Sequence, residues 1–168
     1  ATADSAEFRG PLAAPLLSAL SKRVADGIAG IIDADAQLLD GWIPELLEKK
    51  VSFEHEGMSF YGVIDRISRR PSDNELVLID YKSGRVPAKK DCIPGEDGSL
   101  GDFQIPMYLF LAEHDPKSPY AGARIAGAWF GNLKAAKYDM IVNDPETVPV
   151  EGRSTSVPRA GFAHAEEA

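Results

Sequence analysis

The stretch that decides the fold is Gly62-Val63-Ile64-Asp65-Arg66-Ile67-Ser68-Arg69-Arg70-Pro71-Ser72-Asp73-Asn74-Glu75-Leu76-Val77-Leu78-Ile79-Asp80-Tyr81-Lys82. Two runs rich in β-forming residues flank a turn cluster at 70–74, which predicts a hairpin. Side chains alternate along a strand. Leu76, Leu78, Asp80 and Lys82 should therefore share one face of the third strand, and Tyr61, Val63, Asp65 and Ile67 one face of the second. A hairpin symmetric about 72–73 sets Ile67 opposite Leu78 and Asp65 opposite Asp80. Two carboxylates would then stand with Cβ atoms roughly 5 Å apart on an otherwise apolar face. Like charges opposed in this way destabilise, and burying them costs more. Lys82 offers one compensating charge two residues along. A divalent cation would offer more, and oxygen ligands from two Asp suit Mg²⁺ or Mn²⁺. The residues alone leave a second possibility open: a hairpin ending at the sheet edge, with solvated carboxylates and an ordinary Lys–Asp pair.

Outward from this hairpin, Val51-Ser52-Phe53 predicts a preceding strand that begins near Lys50, and His55-Glu56-Gly57 a turn, so that a three-stranded meander forms. Upstream, Leu16, Leu20, Val24, Ile28 and Ile32 recur every four residues within a helical pattern from Leu12 to about Leu39. That stripe predicts a face packed into the core, and Gly27 and Gly30 suggest a break into two helices. Downstream, Gly84 to Gly101 reads as a mobile loop. Asp102 caps a helix to about Glu113, with Pro106 in its tolerated first turn. Ile125–Gly131 and Tyr138–Val142 read as two more strands. The order α-βββ-α-ββ predicts an α/β (α+β) fold, a mixed central sheet flanked by helices. Residues 1–44 form the expected N-terminal helical segment, 45–142 the core and 143–168 a poorly structured tail.

The whole chain, 168 residues with 44% hydrophobic and 26% charged residues, suits one globular domain. Its single cysteine excludes a disulfide framework and any four-cysteine metal site within the chain. Cys92 reads as an incidental loop thiol. No apolar run approaches the roughly 20 residues of a membrane span, and no signal peptide opens the chain. An initial alanine suggests a piece of a longer chain. The net charge of −8 argues against coating nucleic acid by bulk electrostatics. Residues 66–90 are a basic island within it, with seven basic groups against three acidic. Arg69, Arg70, Arg85, Lys89 and Lys90 there suit a DNA-facing patch or solvated turns equally.

Gly62-Val63-Ile64-Asp65-Arg66-Ile67, then Leu78-Ile79-Asp80-Tyr81-Lys82-Ser83-Gly84, then Gln104-Ile105-Pro106-Met107-Tyr108 resemble the successive motifs of the RecB-like nucleases of the PD-(D/E)XK superfamily. The resemblance covers about residues 45–142. It implies a restriction-endonuclease-like core and metal-dependent hydrolysis of DNA. Asp65, Asp80 and the backbone carbonyl of Tyr81 would bind Mg²⁺ or Mn²⁺. Lys82 would orient the attacking water and stabilise charge in the transition state. Gln104 and Tyr108 would stand beside the site on one helix face, and Glu48 resembles the acidic residue often found before the first strand. Blander roles exist for each: Lys82 as a structural partner of Asp80, Gln104 and Tyr108 as a packing face, Glu48 as a solvated helix end.

Many RecB-like nucleases also carry a histidine on an early helix. His55, His114 and His164 are elsewhere, so either that helix precedes Ala1 in a longer chain or metal binding is weakened. Some relatives hold an iron–sulfur cluster; Cys92 alone cannot, and none is expected within this chain. The resemblance implies a bacterial, cytoplasmic exonuclease of repair and recombination, working with an upstream helicase-like region or a helicase partner subunit, as in AddB- and RecB-type enzymes. No P-loop pattern supplies a motor here. The competing expectation is a catalytically inactive domain of the same fold that binds DNA or a protein partner.

Overall fold

The computed structural model describes residues 13–55, 57–114, 120, 122–144 and 148. The central hairpin sets the architecture. Strand β1 runs over Ile43–His55, β2 over Met58–Arg70 and β3 over Glu75–Lys82. Helix α1 (Ala13–Leu38) precedes them. A short 3₁₀ turn (Lys89–Cys92) and helix α2 (Gln104–His114) follow, then β4 (Arg124–Asn132) and β5 (Lys137–Asn143). All five strands form one sheet in the order β1-β2-β3-β4-β5. Every neighbouring pair is antiparallel except β3 and β4, which are parallel. A parallel pair needs a long crossover, and the segment carrying α2 provides it.

The expected register holds: Ile67 lies opposite Leu78. Pairing of β2 with β3 ends at Arg66 and Ile79, one step short of Asp65 and Asp80. The carboxylates therefore sit where the strands part, not within the ladder.

Strand β3 is buried on both faces, as a central strand must be. On one face Leu76 and Leu78 join Ile64, Ile67 and Phe130 beneath Ile105, Tyr108 and Leu111 of α2. On the other, Val77 and Ile79 join Trp129 and Tyr138 beneath Ile31 of α1.

Several expectations give way. The α1 stripe is not core: Leu16, Leu20, Val24, Ile28 and Ile32 are 45–60% exposed. The helix instead docks through its glycines. A Cβ on Gly27 would collide with the Leu133 carbonyl and one on Gly30 with the Ala136 side chain. These glycines are contact points within one continuous helix, not a break. Strand β1 begins at Ile43, well before Lys50, so Glu48 lies inside it and not ahead of it.

The second strand also departs from strict alternation. Tyr61 and Val63 are exposed, whereas a Cβ on Gly62 would stand 3.0 Å from the Tyr108 ring and Ile64 is core. The side facing α2 thus changes phase between Ile64 and Ile67, and Asp65 sits at that change. Glu48 stands opposite Asp65, because the β1–β2 register runs Leu47 to Arg66 and Lys49 to Ile64. Glu48 holds φ 53°, a left-handed conformation uncommon for a residue with a side chain.

The loop after β3 is anchored: Asp102 N–H donates to the Asp91 carbonyl at 2.6 Å and Cys92 is fully buried. That thiol is a core side chain, its pKa pushed up to about 11 chiefly by burial. Residues 1–12, 145–147 and 149–168, with the expected loose start and most of the expected tail, lie outside the described residues. Val148 is buried beside Trp129, and its carbonyl accepts from Asn143 Nδ2 at 3.0 Å.

Candidate active site

The end of β3 and the first turns of α2 build the candidate site. Strand alternation carries Asp80 and Lys82 to the α2 side. Asp80 is 3% exposed. Asp102 Oδ1 accepts from the Gln104 N–H at 3.0 Å and so caps the helix as expected. The cap fixes where Gln104 projects. Its side-chain amide donates to Asp80 Oδ1 at 2.6 Å and contacts the Tyr108 hydroxyl at 2.9 Å, while its Oε1 accepts from Lys82 Nζ at 2.5 Å. Lys82 Nζ also lies 2.6 Å from Asp80 Oδ2 and stands over the Phe130 ring, 5.4 Å from its centroid. Gln104 and Tyr108, one helical turn apart, are thus both in the cluster.

Asp65 enters from β2. Its Oδ2 accepts from the backbone N–H of Tyr81 at 2.8 Å, which replaces the ladder bond lost where the strands part. Asp65, Asp80, Tyr81, Lys82, Gln104 and Tyr108 are brought together. Glu48 is exposed on β1, opposite Asp65 in the register, and takes no part in the hydrogen bonds and ion pairs of this cluster. Among the described residues no three His, Cys, Asp or Glu side chains are close enough together to hold a metal ion.

Burial pushes the Asp80 carboxyl above its ordinary range. Lys82 pulls it back, and the negative charge of Asp65 raises it further. Oδ2 of Asp80 is buried, and the Lys82 ammonium 2.6 Å away compensates it. The Tyr108 hydroxyl is likewise pushed up, mainly by burial. A carboxylate buried beside one ammonium and near a second carboxylate is costly. The carboxylate oxygens of Asp65 and Asp80 are hard donors of the kind Mg²⁺ accepts.

A second polar cluster lies on the other face of the same strand end. Arg66 Nη1 donates to Asp35 Oδ2 at 2.6 Å and to the Tyr81 hydroxyl at 3.1 Å, and Arg66 Nε donates to Ser68 Oγ at 2.9 Å. The Tyr138 hydroxyl donates to Asp35 Oδ1 at 2.7 Å. Asp35 is not legible in the sequence, because nothing in its helix pattern points to an arginine 31 positions downstream. Of the basic island, Arg69 pairs with Glu45, and Arg70 pairs with Asp73 and Glu75 while covering Trp42. Those two are structural, whereas Arg85 and Lys90 are exposed.

A curled mixed sheet flanked by helices, its central strand ending in Asp-x-Lys beside a second Asp from the adjacent hairpin strand, defines a restriction-endonuclease-like fold. The family model of the PD-(D/E)XK nuclease superfamily matches residues 1–160, and the chain belongs to that superfamily. No curated protein matches it. Among the described residues no helix is long and apolar enough to cross a membrane.

Proposed function

We propose that the chain is a metal-dependent deoxyribonuclease that hydrolyses DNA phosphodiester bonds. The observation that carries this is Asp80. It is a carboxylate buried at the end of a central strand and held by Lys82 and Gln104 toward a second carboxylate. Such a placement costs stability unless it serves a bound cation. Asp65, Asp80 and the Tyr81 carbonyl would hold Mg²⁺ or Mn²⁺. When bound, the ion supplies positive charge to the scissile phosphate and lowers the pKa of water.

The chain's own groups do the rest. The Tyr81 N–H fixes one oxygen of Asp65 and leaves the other free. Gln104 holds Asp80 and Lys82 at once, so the ammonium stays aimed at the site, where charge develops in the transition state. Gly62 leaves room for the Tyr108 ring, which closes the site on the helix side. An exonuclease acting in bacterial DNA repair or recombination, tied to a helicase-like region or partner, suits a domain that has its own hydrolytic cluster and no motor pattern. A non-catalytic domain of the same fold is the second reading. The exposed position of Glu48 and the lack of a third acidic or histidine ligand among the described residues favour it.

Linear single- and double-stranded DNA incubated with the protein and Mn²⁺ separates the two. Cleavage should be abolished by EDTA and should fall ~10²–10³-fold in Lys82→Ala, the loss typical for removing one transition-state donor. DNA binding without cleavage, at an affinity that Lys82→Ala leaves unaltered, would establish the non-catalytic role instead.

A further inference from the structure

Helix α2 carries Gln104 and Tyr108 into the candidate site, and the loop between β3 and α2 holds the start of that helix. The loop closes on a buried turn. Cys92 is fully buried there, and the Asp91 N–H donates to the Ala88 carbonyl at 2.8 Å. The Asp91 carbonyl then accepts from the Asp102 N–H at 2.6 Å. The approach is close: a Cβ on Gly101 would stand 3.0 Å from the Asp91 Cβ. Asp102 Oδ1 in turn accepts from the Gln104 N–H at 3.0 Å. An unbroken line of hydrogen bonds thus runs from the buried turn through Asp91, Asp102 and Gln104 to Lys82 and Asp80.

Gln104 opens α2. The first N–H groups of a helix have no partner within it, and helix ends fray. Yet the Gln104 side chain must meet Asp80, Lys82 and Tyr108 at once. A residue in that position needs its backbone fixed from outside the helix, and Asp102 fixes it. Among the described residues Asp102 makes no hydrogen bond or ion pair with Asp80 or Lys82. Its influence on them passes through Gln104 or through charge alone. The charge does reach the site: beyond burial, Asp102 adds to the upward push on the Asp80 carboxyl.

We propose that Asp102 is a positioning residue of the nuclease site: its cap, seated on the Asp91 turn, aims Gln104 and through it the Lys82 ammonium. The proposal rests on the nuclease function above and extends the working unit to the loop between β3 and α2. Cap and charge can be separated, because Asn and Ser cap a helix as Asp does, whereas Ala does not.

Single-turnover cleavage of linear DNA in Mn²⁺, run well below the melting temperature of every variant, reads the aim of Lys82. Asp102→Ala should lower the rate about 10-fold, within the ~10²-fold that a misplacement of about 1 Å can cost. The half-saturating DNA concentration should not change. Asp102→Asn and Asp102→Ser should restore most of the rate. In a Gln104→Ala background, Asp102→Ala should have no further effect, since residues that act as one unit are not additive. The Gln104 side-chain amide gives a readout without cleavage. By NMR of the metal-free protein its hydrogens, donated to Asp80 and Tyr108, should exchange slowly with water. Asp102→Ala should make that exchange fast, and Asp102→Asn should keep it slow. The proposal is overturned by an amide, or by a rate in an active wild type, that Asp102→Ala leaves unaltered. An Asn variant as impaired as Ala, or a loss that persists without Gln104, overturns it equally. A wild type that does not cleave would overturn the nuclease function instead, and the amide exchange would still decide whether Asp102 holds Gln104.

Discussion

Two polar clusters flank the C-terminal end of β3, and they are compensated to different degrees. On the α1 side, both oxygens of Asp35 receive hydrogen bonds, from Arg66 and Tyr138, and Arg66 finds two further acceptors in Ser68 and Tyr81. On the α2 side, Asp80 has one oxygen hydrogen-bonded to Gln104 and one that faces the Lys82 ammonium. The same ingredients, an aspartate, a cation and a tyrosine, give a closed network on one face and an open one on the other. A satisfied network specifies structure, whereas an open one stores unfavourable electrostatics that a ligand can relieve. The backbone of Tyr81 joins the two, since its ring lies with Arg66 while its N–H holds Asp65.

The largest effect should come from opening the closed side. Arg66→Met leaves Asp35 with one donor in a partly buried position. Stability by urea denaturation should fall about 2–4 kcal/mol, somewhat under the loss for a fully buried pair because water reaches Asp35. Asp80→Asn on the open side removes the buried charge itself rather than its partner, and should cost under about 1 kcal/mol in metal-free buffer. Equal losses would erase the distinction between the faces.

Cation binding sharpens it next. Mn²⁺ at one hundred times its dissociation constant should stabilise the wild type by about 2.7 kcal/mol. Asp65→Asn and Asp80→Asn should lose that gain, and Arg66→Met should keep it on a lower baseline. A gain that survives in both asparagine variants would place the ion elsewhere.

Much of this architecture is legible in the chain. Alternation from Leu76 to Lys82, and a turn cluster at 70–74, fix both the hairpin register and the face that carries Asp80 and Lys82. The spacing of Gln104 and Tyr108 fixes a helix face. What is not legible depends on contacts between distant segments. The α1 stripe has ideal helical spacing, yet the docked side is the glycine side, because the β4–β5 turn approaches too closely for anything larger. Period alone cannot tell which face of a helix is covered. Gly27→Ala should therefore destabilise by about 1–3 kcal/mol through overpacking, while Ile28→Ala beside it, half exposed, should cost under 1 kcal/mol. The phase change at Asp65 was hidden for a similar reason. It lies opposite the left-handed backbone of Glu48, and strict alternation gives no sign of it.

The smallest expected effect is the most specific to the open cluster. Burial raises the Asp80 carboxyl in the folded protein above its ordinary value of 3.8. The unfolded chain therefore ionises Asp80 at lower pH than the folded one does. As pH rises from 3.8 through the folded value, the folded state loses stability relative to the unfolded, and the deficit is complete above it. Asp80→Asn removes that deficit and keeps an oxygen for Gln104. In metal-free buffer at pH 8 the variant should melt at or slightly above the wild type, by roughly 2–4 °C for each kcal/mol relieved. Near pH 3.5 the two should converge. Metal-free Asp80→Asn that melts well below the wild type at pH 8 would mean that the Lys82 ion pair outweighs burial, and the cluster would then be a structural pair like that of Asp35 and Arg66.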